Sequence, residues 1–152
     1  MLNQRIRRCL EAGASVLVAT VDARGIPSCC RASAITADDD LKTVAIYLPV
    51  ATSQQTIKDI ATTHRVAVAA THVIEHVSIQ LKGTACTARL AHDDEAALVE
   101  DRHQAFGEVL YNIGFPRRLT RSVVHWPAFV IDMKVEEIFE QTPGPNAGAR
   151  LR

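Results

Sequence analysis

A small antiparallel β-barrel with peripheral helices is the fold this sequence predicts, and three observations predict it. First, residues 66–90, VAVAATHVIEHVSIQLKGTACTARL, hold two strand patterns. Residues 66–70 are a β-branched and small apolar run, and further on Val77, Ile79 and Leu81 alternate with Ser78, Gln80 and Lys82. Strict alternation buries one face of a strand and turns the other outward, so the stretch reads as a long antiparallel hairpin joined through residues 71–76. Second, Gly83 breaks the period inside the second strand, the mark of a bulge where a sheet curls. Third, the rest of the chain supplies four more strand-length apolar runs and three stretches at helical spacing. The expected architecture is mainly β: six strands in adjacent antiparallel hairpins, two short helices and one long one.

Residues 3–12 carry Ile6, Cys9 and Leu10 on one side of a short amphipathic helix that ends before Gly13. Residues 15–21 (SVLVATV) follow as a buried strand, and Asp22-Ala23-Arg24-Gly25 is a hairpin turn whose glycine supplies positive φ. A second strand runs from 26 to 35, Asp38-Asp39-Asp40 is a solvated turn, and TVAIYL (43–48) is a third strand closed by Pro49. Ile57, Ile60 and Ala61 sit at helical spacing within 52–62, with Thr52 or Ser53 as the capping residue.

After the central hairpin, 93–113 is the longest helical pattern. It opens on Asp93-Asp94-Glu95, an acidic turn suited to a helix N-terminus, and Leu98, Arg102, Ala105, Val109 and Ile113 lie along one side. Phe115-Pro116-Arg117-Arg118 ends it, and residues 122–127 are irregular or a further short helix. The last strand spans 129–139, alternating Phe129, Ile131, Met133 and Val135 with Val130, Asp132, Lys134 and Glu136. Proline and glycine dominate QTPGPNAG (141–148), so residues 1–140 form one domain and 141–152 an irregular tail.

Composition bounds the function. With 152 residues and 47% hydrophobic content, one domain with a real core is expected. Seventeen basic and seventeen acidic residues cancel, so no net basic excess marks a nucleic-acid or membrane surface. Cys9, Cys29, Cys30 and Cys86 form no CxxC, and neighbours Cys29 and Cys30 point to opposite faces of a strand. Reduced packing cysteines and the lack of a long apolar N-terminal run lead to the expectation of a soluble, cytoplasmic protein.

His72-Val73-Ile74-Glu75-His76 matches the H-x-x-E-H pattern of a zinc site, but that chemistry needs both histidines on one helical face. Here the segment lies between two strands, where a hairpin turn explains it, and no metal is expected. There is no G-x-S-x-G, P-loop or G-x-G-x-x-G, and no catalytic acid or base can be named. His64, His92, His103 and His125 are scattered and read as surface or packing residues. A better lead is Thr52, Ser53, Gln54, Gln55 and Thr56, which open a helix directly after a strand and gather hydroxyls and free N–H groups fit for a phosphate. Arg31, with Lys58 or Arg65 close by in sequence, supplies the charge. Ser78, Gln80 and Lys82 form an outward polar row, either solvated or in contact with a ligand.

In this order, ATVDARGIPSCCRASAI (19–35), YLPVATSQQTIKDIATTHRVAVAA (47–70), VSIQLKGTACTARL (77–90) and FEQTPGPNAG (139–148) resemble the pyridoxamine 5′-phosphate oxidase-like family of FMN-binding split barrels. The resemblance implies a six-stranded split barrel, a homodimer, and FMN in a groove at the subunit interface. By position, Arg31 resembles the arginine that approaches the FMN phosphate. Thr52, Ser53, Gln54, Gln55 and Thr56 match the loop and helix start that hold it, and Ser78, Gln80 and Lys82 match the strand beside the isoalloxazine ring. Family members often carry a basic pair at that helix start; this chain has none before Lys58, and the family's C-terminal substrate motif is absent. The expectation is therefore a flavin-dependent oxidoreductase on a small molecule other than pyridoxamine phosphate. The alternatives are a haem- or deazaflavin-binding relative, or a non-catalytic dimeric binding or sensor module.

Overall fold

The computed structural model describes residues 2–152 and contains one curled antiparallel sheet with helices around it. Its strands are β1 (Ser15–Val21), β2 (Pro27–Arg31), β3 (Ala34–Ala37), β4 (Thr43–Pro49), β5 (Arg65–Thr71), β6 (Ser78–Leu90) and β7 (Ala128–Glu140). The helices are α1 (Leu2–Glu11), α2 (Gln54–Thr63), α3 (Ala96–Asn112) and α4 (Arg117–Arg121), with a 3-10 turn at Asp93–Glu95 just before α3. The sheet order β2-β1-β5-β6-β7-β4-β3 puts two consecutive strands, β2 and β3, at opposite edges.

That order explains the one strand the sequence does not show. The expected strand 26–35 is two strands, because the chain changes partner between them. Ala32 N–H donates to the Val16 carbonyl of β1 at 3.0 Å, while Ser33 N–H donates to the Tyr47 carbonyl of β4 at 2.8 Å. Adjacent amides thus pair with β1 and β4, next to opposite edges of the sheet, and this one dipeptide links the two ends of the strand order. Backbone groups with no water to meet must find such partners.

The central hairpin forms as the alternation requires. Val68, Ile79 and Leu81 are fully buried in the barrel core with Val18, Ile35, Ile46, Leu48, Ile131 and Met133. Each such side chain contributes about 2 kcal/mol of transfer free energy. The β6–β7 register shifts between Lys82 and Gly83, as the glycine foretold, and again between Ala85 and Thr87. Residues 72–76 are the hairpin turn: His76 has φ +58°, and His72 Nδ1 accepts the Glu75 N–H at 3.3 Å.

A second, smaller apolar cluster on the other face of the sheet joins Ala34, Tyr47, Ala128 and Val130 to Val99 of α3. The start of α3 is anchored there by charge. Glu95 accepts from Tyr47 Oη at 2.9 Å and from both Arg89 terminal nitrogens at 2.7 and 3.0 Å. The Arg89 hydrogen bonds dominate in holding Glu95 down at about 2, while burial and then Glu95 itself push Tyr47 up to about 12. Of the expected stripe of this helix, Leu98 packs on that cluster, Arg102 reaches Glu11, Ala105 and Val109 stand at Gly13, and Ile113 alone is exposed; Val99 and Gly107 are its buried residues. The short α4 lies earlier than residues 122–127, where a further helix was one of two expectations.

Beyond Val135, β7 has outrun β4 and carries an open edge on that side. The proline- and glycine-rich segment turns back and covers it. Leu151 N–H donates to the Ile138 carbonyl at 2.7 Å, Ile138 N–H donates to the Arg152 carbonyl at 3.0 Å, and Phe139 bridges Arg150. Pairing an edge in this way removes a template for aggregation. Among the cysteines, Cys9 and Cys30 are buried and pack as expected, but Cys29 and Cys86 are exposed.

Helix α2 is fixed by one buried carboxylate. Asp59, 2% exposed, accepts from Thr20 Oγ1 at 2.8 Å, Ser28 Oγ at 2.5 Å and Gln55 Nε2 at 2.7 Å. Burial alone would raise this carboxyl; the Ser28, Thr20 and Gln55 donors outweigh it and hold it below the ordinary value of 3.8. The network's contribution is therefore complete above that ordinary value and is lost as the pH falls through the lower folded one. Asp59→Ala is expected to cost about 2 kcal/mol at neutral pH, because it strands two hydroxyls and an amide. Urea unfolding should show the variant losing less stability than the parent below pH 3.8; equal acid sensitivity would count against the network.

Candidate functional site

A cavity of about 650 Å³ lies where β2, the β4–α2 turn and the α3–α4 hairpin meet. Its volume lies within the ~300–1,000 Å³ common for small-molecule and cofactor sites. Register explains what β2 presents to it. Arg31 pairs with Leu17 and Cys29 with Ala19, so both side chains point off the barrel's outer face, while Cys30 between them turns into the core. Burial pushes the Cys30 thiol above its usual value, against the lowering effect of the Thr56 hydroxyl that donates to it at 3.3 Å.

Arg31 is the one cation among the described residues that line the cavity. Its Nη1 donates to Ser15 Oγ at 2.9 Å, and its guanidinium carbon stands 5.3 Å from the centroid of the Phe106 ring on α3. Five N–H donors on a guanidinium leave four free after the Ser15 bond. Thr52 reaches the same cavity from the turn after β4, where its own N–H is held by the Pro49 carbonyl at 3.2 Å. Sequence-distant Arg31 and Thr52 are thus brought together.

The rest of the predicted phosphate loop is placed differently. Ser53 is the N-cap of α2 but makes no capping bond; it is fully buried and its hydroxyl donates to the Pro49 carbonyl at 2.7 Å. Thr56 is 2% exposed and occupied with Cys30. Gln54 donates to the Val50 carbonyl at 3.0 Å, and Gln55 to Asp59. Lys58 and Arg65 are exposed and do not line the cavity.

Ser78, Gln80 and Lys82 lie outside it too, yet on the same outer face of the sheet as Arg31. Arg31, Leu17, Ala69, Gln80 and Phe139 form one row across five neighbouring strands. Gln80 is three strand spacings from Arg31, or about 14 Å. Ser78 Oγ is hydrogen-bonded to Thr71 Oγ1 at 2.7 Å, and Lys82 Nζ stands 4.7 Å from the centroid of the Phe139 ring.

The α3–α4 side of the cavity is the part no sequence pattern singled out. His103, Phe106 and Leu110 come from α3, while Phe115, Val123 and Val124 flank α4. The two helices are held together by His103 Nε2–H, which donates to the Thr120 carbonyl at 2.9 Å, and by Arg117, which pairs with Glu108 at 2.7 Å. His103 stacks on His125 with centroids 4.0 Å apart, and His125 Nε2 lies 2.6 Å from Glu100. Burial, and after it the neighbouring His125, pull the His103 imidazole below its ordinary value of 6.5. A spacing of Phe106 and Leu110 four residues apart, on a different face from the stripe first noticed, was the available signal.

A curled sheet with a cation, hydroxyls and an apolar wall around one outer groove is a split barrel with a candidate small-molecule site. The sequence matches the family described as pyridoxamine 5′-phosphate oxidase over residues 2–142, and the chain belongs to that family of split barrels. No curated protein matches the sequence. Among solved structures, HupZ from Group A Streptococcus is 22% identical, with 97% of this chain and 100% of that one covered and a TM-score of 0.60. An FMN-binding protein from Syntrophomonas wolfei is 10% identical, with coverage of 91% and 84% and a TM-score of 0.61. HutZ, the heme storage protein of Vibrio cholerae, is 12% identical, with coverage of 90% and 92% and a TM-score of 0.51. At these identities the likeness is one of fold. Among the described residues no helix is long and apolar enough to cross a membrane.

Proposed function

We propose that this chain is an FMN-binding oxidoreductase of the split-barrel family, acting on a small molecule as a homodimer. The observation that carries the reading is the convergence of Arg31 and Thr52 on one cofactor-sized cavity. The residues fit the group: a guanidinium with free donors suits a phosphate, and Phe106 beside that guanidinium suits the apolar part of the cofactor next to it. Arg31 would bind the phosphate with help from Thr52, and Phe106 and Leu110 would pack against apolar parts and exclude water. When bound, the flavin supplies the redox chemistry and the protein supplies position and electrostatics.

The dimer is supported by the outer sheet face beside the cavity. Leu17 is 41% exposed there, Ala19 is exposed, and Ala67 and Ala69 flank them on β5. An exposed apolar face next to an open groove suits a second copy, and Ser78, Gln80 and Lys82 would meet that copy's cofactor. Deazaflavin in the same groove is a variant of this reading.

The test is an absorption spectrum of freshly purified protein followed by an FMN titration. Flavin bands, FMN released on denaturation, and about 2.7 kcal/mol of added stability at FMN a hundredfold above Kd are expected. Colourless protein that gains no thermal stability from FMN would replace this reading with a non-catalytic binding or sensor module. Haem is a second reading because His103, held toward its neutral and ligating form, lines the cavity. A Soret band would select it.

A further inference from the structure

We propose that the α3–α4 wall of the cavity binds an uncharged, apolar ring-bearing small molecule, the substrate that meets the cofactor. The proposal rests on the reading that Arg31 and Thr52 take the cofactor's phosphate.

Charge carries the first half of the argument. Arg31 is the one cation among the described lining residues and stands at the β2 end, with Ser15 and Thr52. A charged substrate in the other half would lose its hydration and find no ionic partner. The hydrogen-bond donors of His103 and Thr120 on that wall are already engaged. His103 Nε2–H donates to the Thr120 carbonyl, and Thr120 Oγ1 donates to the Arg117 carbonyl at 3.0 Å. Neither must be stripped of water-dependent partners when an apolar molecule arrives.

Exposure carries the second half. Phe115, Val123 and Val124 line the cavity and are 48%, 49% and 51% exposed. Scattered apolar exposure is ordinary, but these three residues line one cavity together with Phe106 and Leu110. An apolar ring seated there removes both its own surface and theirs from water, with Phe115 offering a ring face. A phosphorylated substrate would have to bring its charge against this wall or compete for Arg31.

The experiment uses the full chain with three probes: FMN, 1-naphthol, and 1-naphthyl phosphate, which carries the same ring on a charged ester. 1-Naphthol is expected to bind and to change flavin fluorescence in the FMN-loaded protein, whereas FMN displaces 1-naphthyl phosphate. Val124→Asp and Phe115→Ser replace half-exposed side chains, so folding should survive. Each should weaken 1-naphthol binding about tenfold while FMN affinity stays within about twofold.

Absence of 1-naphthol binding, or equal binding by parent and both variants, would overturn the proposal. So would Val124→Asp turning a dimer into a monomer with 1-naphthol affinity unchanged, which would make the wall a subunit contact. If FMN fails to bind while 1-naphthol still binds and responds to Val124→Asp, the cofactor reading falls and the apolar wall stands.

Discussion

Arg31→Ala is expected to weaken FMN binding about tenfold to a hundredfold, the range set by losing charge-assisted hydrogen bonds of about 1.5–3 kcal/mol. The lower end applies if the groove stays open to water, since Arg31 is exposed in the monomer and solvent screens its charge. Burial of the groove against a second copy moves the value up. Arg31→Lys should recover part of the loss, because an ammonium restores the charge but not the planar fork. Lys58→Ala should leave the affinity unchanged, since Lys58 stands away from the cavity. Added salt should weaken binding in the parent and much less in Arg31→Ala. Fluorescence titration with FMN reads all four, and an Arg31→Ala affinity equal to that of the parent would remove this arginine from the site.

That prediction uses a residue visible in the sequence, and the reason is instructive. Arg31 stands out as a cation in an apolar strand, and the period of two places it outward opposite Cys30. Thr52 was visible because it precedes a helical pattern after a strand. Ser53 and Thr56 look equivalent to Thr52 as donors; only the fold shows their hydroxyls committed inside, to Pro49 and Cys30. The wall of Phe106, Leu110, Phe115 and Val124 was hidden for a different reason. Helix α3 packs on more than one side, with Val99 in the smaller apolar cluster and Phe106 at the cavity, so no single stripe dominates its sequence. The break at Ala32–Ser33 was equally hidden. Neither residue is a glycine or proline that would break a strand, and the change of partner belongs to the closed sheet rather than to local preference.

Gly83→Ala is the substitution expected to damage the fold most. A Cβ at this position would stand 1.9 Å from the Lys134 carbonyl oxygen and 3.1 Å from Met133 Cε. Met133 is a flexible thioether and can move aside. The Lys134 carbonyl is backbone of β7, and β7 is pinned on its other side by β4 through the Thr43–Lys134 and Val44–Met133 pairs. Relief therefore requires opening the β6–β7 ladder where its register already shifts. Overpacking of a side chain costs about 1–3 kcal/mol; a backbone obstacle places this case at about 3 kcal/mol or more, or about 10 °C in Tm.

Gly25→Ala separates the steric cause from the conformational one. Gly25 has φ +83° with nothing within 4 Å of its Cβ position, so that change carries backbone strain alone and should cost about 1 kcal/mol. Thermal unfolding of both variants beside the parent tests the ranking. A Gly83→Ala protein melting within about 2 °C of the parent would mean that β6 and β7 do not cross this closely. The bend at Gly83 would then no longer explain how the sheet curls far enough for Ala32 to pair with β1 and Ser33 with β4.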